Sequence, residues 1–358
     1  MKLVNSYLNK KKKLIYLTLI NTFILWQLSY YIFILWDQQI FFDSNSYISM
    51  AKGQFDVIQH HGYRIVLPII SSFLSKIISI FRFQSIVNEN INTEINIRIS
   101  FYLINLFLSS FIFYFLFESL KEMKYRTEII ISSIFCFQLS TIYLFYIAIP
   151  NADIGVIFFL SLGLFIFYKI KNFTIFFIFN LFIVISGTLF KEYIFLTNLP
   201  ILLMSLGEIK YPLKRKLIYL FTYLSTNVFF LVLFRKIINY IISITTGTSF
   251  LGGSTSKYII KSIVNIPFNL YKFQDVLQYS PFLILIILVI GFLSEKKFKI
   301  NNYQYKKFPN IYLFTAFFIF LLLSGAAIWS TRIFFPFFIY LLPKTCEYLQ
   351  RIQNKISF

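Results

Sequence analysis

Between Phe41 and Pro68 the chain reads FFDSNSYISMAKGQFDVIQHHGYRIVLP, a stretch rich in side chains that handle protons or phosphate. Asp43 and Asp56 are carboxylates, His60 and His61 are both histidines of the protein, and Arg64 lies near its end. A carboxylate beside a membrane can take the proton of an attacking hydroxyl, a contribution of about 10²–10⁴ in rate. An arginine can hold a phosphate through two parallel N–H groups. The histidine pair has no His or Cys companion nearby, so it reads as surface loop rather than a zinc site. No metal site and no cofactor is indicated, although divalent-ion assistance stays open. Asp56 reads as solvated.

These residues need elements to position them. After Asp43 the run SNSYISMAKG is helix-like and stops at Gly53. Asp43 and Tyr47 are four apart and share a helical face, with Ile48, Met50 and Ala51 available to the membrane. Asp is also a preferred N-cap, so Asp43 fits that role as well, and cap and base are compatible.

The surroundings are those of a membrane. Of 358 residues 58% are hydrophobic and 13% charged, against ~25% charged in soluble domains, which excludes one soluble core. Apolar runs occupy about 14–36, 98–117, 127–148, 153–170, 173–190, 192–206, 217–235, 281–294, 310–328 and 333–349. The first exceeds the ~7–15 residues of a signal-peptide core, so it reads as an uncleaved span. Cys136 in mid-span and Cys346 near the end predict no structural disulfide. The net charge of +20 reports topology before it reports nucleic acid.

Segment 64–82 is ambiguous between span and interfacial helix, and charge decides. If it stays on the surface with the N-terminus inside, 22 Lys and Arg fall on the cytoplasmic side and 12 outside. If it crosses, the counts become 14 inside and 19 outside, with Lys76 in the bilayer. The positive-inside rule selects the first arrangement. The expected fold class is therefore an all-α polytopic membrane protein, one transmembrane domain over 1–358. It has ten spans, both termini cytoplasmic, an outer loop at 37–98 carrying juxtamembrane helices, and a second outer loop at 236–280. Asp37, Asp43, Asp56, Asp153 and Asp275 then lie on the outer side or its rim.

The pattern D-x-x-x-Y-x-x-x-A from Asp43 through Tyr47 to Ala51, followed by HGYRIVLP, resembles the GT-C superfamily of integral membrane glycosyltransferases. PNADIG with Asp153, FKEYIFLTNLP with Lys191 and Glu192, and STRIFFPFFIYLLP with Arg332 resemble later motifs of that superfamily, in order along the chain. Where the superfamily often carries paired acidic residues, Asp43 is followed by Ser44, which leaves another outer aspartate open as base. The resemblance implies a GT-C-like fold with the catalytic aspartate on the first outer loop. It also implies a polyprenyl-phosphate sugar donor and a lipid, glycan or protein acceptor, in a bacterial cytoplasmic membrane. Asp43 would be the general base, with Tyr47, Asp153 and Glu192 supporting it.

The donor's phosphate leaves at headgroup depth, and fixed cations there would stabilise its growing charge. Arg332, Lys191, Arg64 and His61 stand at outer span ends and are the candidates. Snorkelling anchors are the alternative for Lys191 and Arg332. GTSFLGGS at 247–254 imitates a phosphate loop but has Gly253 where lysine belongs, and reads as a flexible turn. The following SIVNIPFNLYKF suggests a further surface helix. A polymerase of lipid-linked oligosaccharides is the alternative enzyme. A transporter would place ionisable groups in mid-span, and these spans hold almost none.

Overall fold

The computed structural model of the chain describes residues 2–35, 42–55, 64–80, 89–246, 281–297, 310–324 and 335–356. Every regular element among them is helical. In chain order these are α1 (Lys2–Leu35), α2 (Phe42–Ala51), α3 (Val66–Ile80), α4 (Glu89–Glu122), α5 (Thr127–Gln138), α6 (Thr141–Ala148) and α7 (Asp153–Lys169). There follow α8 (Phe173–Thr188), α9 (Ile194–Glu208), α10 (Leu213–Thr246), α11 (Phe282–Lys297), α12 (Asn310–Ser324), a 3₁₀ turn at Phe335–Phe337 and α13 (Phe338–Ile356).

A helix falls on each of the ten apolar runs. Among the described residues three helices are long and apolar enough to cross a membrane: Lys12–Ile34, Thr93–Glu122 and Leu213–Ile244. A fourth candidate is the pair α5 and α6, which bends by 67° at its break. Among the described residues α3, α8 and α9 are shorter apolar helices; the 16 residues of α8 rise about 24 Å, less than the ~30 Å of hydrocarbon. These are features of a membrane protein.

α4 is the central post, packed along α7, α3 and α1. Rings of Phe111 and Phe115 meet Phe158 of α7 with centroids 6.5 and 5.8 Å apart. α7, α8 and α9 pack on one another, α12 packs on α9, and α13 on α5 and α11. The main core runs through Phe113, Ile130, Phe137, Tyr143, Ile157 and Phe335. Cys136 and Cys346 are both free thiols.

Two boundaries differ from the sequence reading. α4 starts at Glu89, nine residues before the apolar run, so the end of the 37–98 segment is helix rather than loop. Glu94 pairs with Arg98 one turn on and with Lys52 Nζ at 2.8 Å, which stabilises these polar turns. α10 likewise continues to Thr246, inside the 236–280 segment. The expected turn at 247–254 and surface helix beyond it lie outside the described residues.

α3 forms within the 64–82 segment as a short apolar helix. Its 15 residues rise about 22 Å. Leu67, Pro68, Ser71 and Ser75 face the protein, while Ile69, Ile70, Phe73, Lys76, Ile77 and Ile80 are exposed. Pro68 sits in the first turn, where a missing N–H has no intrahelical partner to lose.

Candidate functional site

α2 ends where Gly53 adopts φ +81°, with Gly53 N–H donating to Met50 O and Gln54 N–H to Ser49 O. That left-handed cap is what glycine permits, and it stops the helix as the sequence predicts. The helix begins at Phe42, so Asp43 falls within the first turn rather than at the cap. Position 43 is one turn before Tyr47 on the same face.

A small second core anchors this helix. Tyr47, Ile48, Met50 and Ala51 pack with Leu67 of α3, Ile97 and Phe101 of α4, and Ala152 beside α7. Ile48, Met50 and Ala51, expected to meet lipid, are instead buried in protein, because α3 and α4 cover α2. Phe190, from the turn between α8 and α9, also packs here and meets Phe159 edge-on at 5.1 Å. Gly155 permits that approach, since a Cβ there would stand 2.9 Å from Phe190 Cδ1.

Three separated segments thus bring their polar residues together. Arg64, just before α3, donates from Nη2 to Glu192 Oε1 at 2.7 Å and from Nε to Oε2 at 3.0 Å. Its Nη1 donates to Tyr47 Oη at 3.2 Å. Glu192 precedes α9 in the α8–α9 turn and is 22% exposed at its side chain, whereas Arg64 is buried. Burial pushes the Glu192 carboxyl up, but the Arg64 guanidinium and its hydrogen bonds override this and hold it at about 2. Burial likewise works against the Arg64 charge, and the Glu192 carboxylate more than restores it, raising the guanidinium further.

The neighbouring residue makes a second pair. Lys191 Nζ donates to Asp153 Oδ1, and both side chains are almost completely buried. Asp153 opens α7, where the positive end of the helix dipole favours an anion. Lys191 follows the end of α8, with its N–H on Gly187 O, where a cation is favoured. Asn151 Oδ1 accepts from Asp153 N–H at 2.7 Å and shapes the turn. Asn105 Nδ2 donates to Tyr146 O at 3.1 Å and Ile149 O at 3.0 Å, fixing the approach from α6. Lys191 also lies 5.2 Å from the Tyr193 ring centroid.

Of the residues chosen from sequence, Tyr47, Arg64, Asp153, Lys191 and Glu192 therefore converge. Asp43 is placed on the same helix as Tyr47. His61 and Arg332, with His60, Asp37, Asp56 and Asp275, lie outside the described residues. The two described residues of the four assigned to phosphate, Arg64 and Lys191, each meet a carboxylate, making a compensated quartet. Among the described residues Glu192 and Tyr47 engage three of the five Arg64 N–H groups. Asn105 and Asn151 were not chosen; the one available signal was an asparagine within or beside an apolar run. Among the described residues no group of three His, Cys, Asp or Glu side chains could hold a metal ion.

The Glu192 shift predicts a pH dependence. A carboxyl held below its ordinary 4.5 stabilises the fold above that pH and loses the contribution as pH falls towards about 2. Glu192→Gln is expected to melt several degrees below wild type at neutral pH. The difference between the two proteins should narrow as thermal midpoints are followed down through this window. A constant difference would detach the pair from acid stability.

No family model matches the chain, and no curated protein or solved structure matches it either.

Proposed function

We propose that the protein is a GT-C-type glycosyltransferase with ten membrane spans. It moves a sugar, with inversion, from a polyprenyl-phosphate donor to a hydroxyl of a lipid, glycan or protein at the outer face of a bacterial cytoplasmic membrane. The observation that carries this reading is the meeting of Tyr47 and Arg64 with Asp153, Lys191 and Glu192, one helical turn from Asp43. These are the segments in which the sequence resembles GT-C enzymes, and residues far apart in sequence have reason to assemble at a site.

In this reading Asp43 takes the proton of the acceptor hydroxyl as its oxygen attacks the anomeric carbon. The bond from that carbon to the phosphate breaks, and the leaving phosphate carries away the electron pair. The remaining N–H groups of Arg64 offer hydrogen bonds to a phosphate oxygen, and Arg332 and His61 complete the donor site. Glu192 keeps the guanidinium charged and oriented, and Tyr47 holds its third edge. Lys191 and Asp153 fix the turn that carries Glu192. Both termini are cytoplasmic.

The bend between α5 and α6 supports a second reading, a transporter, because interrupted spans often line substrate paths. The polar groups at this break, Gln138, Ser109 and Tyr143, are uncharged and bonded to one another, which favours packing.

The test is purified protein in lipid with radiolabelled polyprenyl-phosphate sugars and candidate acceptors. Label should enter one acceptor as a single-sugar mass shift. A ladder of oligosaccharide additions identifies a polymerase, and no transfer with any donor defeats the proposal. A cysteine at position 43 should react with an impermeant reagent in intact cells, while cysteines in the 210–216 turn stay protected. The opposite pattern would turn the site inward.

A further inference from the structure

The turn between α7 and α8 and the turn between α9 and α10 lie side by side. Tyr211 meets Phe173 with ring centroids 6.1 Å apart and stacks on Tyr219 at 6.2 Å. Tyr219 in turn meets Phe173 and Phe177 of α8 at 4.9 and 5.1 Å. This aromatic hinge brings Lys171 to the same rim as Lys210, Lys214, Arg215 and Lys216. Glu122 shares its field with Lys171, whereas the four cations from Lys210 to Lys216 have one carboxylate beside them in sequence, Glu208. Lys169 is not counted with them, because Glu118 and Glu122 hold it at 2.8 and 2.6 Å.

The rim is built rather than merely charged. Arg215 sits over Tyr211, its guanidinium carbon 4.2 Å from the ring centroid, a cation–π contact that holds the group at the rim. Lys171 Nζ donates to Tyr168 O at 3.3 Å, tethering its stem. Below the rim, α8 and α10 present bare apolar faces on either side of their contact. Ile178, Phe179 and Phe182 are 60, 50 and 69% exposed, and Ile218 and Phe221 are 56 and 73% exposed.

A ligand matching both features must carry a negative head and long apolar chains. We infer that the α7–α8 and α9–α10 turns form a binding site for an anionic phospholipid, with its phosphate on Lys210, Lys214 and Arg215 and its acyl chains along α8 and α10. Charge complementarity chooses this occupant, and the apolar faces beneath the cations favour one that carries acyl chains over a fully water-soluble polyanion. The positive-inside count assigns these turns to the cytoplasmic leaflet, opposite the proposed transfer site. The inference therefore stands or falls independently of any glycosyltransferase activity.

The experiment uses the full-length protein in detergent with phosphatidylglycerol, phosphatidylcholine of the same chains, and soluble glycerol phosphate as probes. Native mass spectrometry counts retained lipid, and thermal midpoints report stabilisation. Each nearby Lys or Arg contributes roughly five-fold to anionic-lipid affinity. Wild type should retain phosphatidylglycerol over phosphatidylcholine, and K210Q/K214Q/R215Q should lose at least about tenfold of that preference. The triple variant should melt like wild type without lipid; if it does not fold, R215Q alone should lose roughly five-fold. Equal retention of the two lipids by wild type overturns the inference, as does an unchanged preference in the variant. Equal stabilisation by soluble glycerol phosphate overturns the lipid as occupant and leaves a simple anion patch.

Discussion

An Asp43→Asn protein should insert normally, melt only slightly below wild type and transfer sugar about 10²–10⁴-fold more slowly. The carboxamide keeps the shape and an acceptor oxygen, so what it removes is the capacity to take a proton. Position 43 lies in the first turn of α2, where a negative charge is worth only about 0.3–1 kcal/mol through the helix dipole. A purely structural aspartate would therefore show the same small fall in midpoint but a wild-type rate. A transporter would move its substrate undisturbed. Midpoint and initial transfer rate, taken on one preparation, separate these cases, and a wild-type rate removes Asp43 from the chemistry. Another outer aspartate would then have to be the base. Asp153 is poorly suited, since it is buried and paired with Lys191.

The helical class was legible because charge is scarce and the apolar runs are long. The stop of α2 was legible from Gly53, which alone among nearby residues adopts positive φ without strain. The convergence of the YR, PNAD and FKEY segments was legible only through their order and common sidedness. The pairing within them was not. Lys191 and Glu192 are adjacent and look like a local pair, yet on the turn their side chains diverge. Lys191 reaches Asp153 and Glu192 reaches Arg64, contacts that packing of α2, α3 and α7 decides. The break between α5 and α6 was also hidden, because 127–148 contains neither Gly nor Pro. It is marked only by polar side chains: Ser140 Oγ donates to Phe137 O at 2.7 Å, and Gln138 Nε2 donates to Tyr143 Oη at 2.9 Å. A polar residue in an apolar run signals a lipid anchor, a helix contact or a break equally, and sequence alone does not distinguish them.

The second large effect belongs to Lys191→Met. The methionine fills most of the space of the lysine stem but leaves the Asp153 carboxylate buried without its countercharge. Removing one partner of a buried pair costs about 3–5 kcal/mol, because the surviving charge has lost both water and partner. Asp153→Asn in the same protein removes that charge, and the double variant should recover most of the loss. The two changes share one contact, so their effects will not add. Lys52→Met supplies the scale: its partner Glu94 is 34% exposed, and such a pair is worth about 0–1 kcal/mol. Thermal midpoints of the four proteins in one detergent make the comparison. If Lys191 served only to hold phosphate, K191M would melt like wild type and fail only in transfer. A large fall rescued by D153N would instead assign Lys191 to the support of the turn, leaving Arg64 and Arg332 to face the donor.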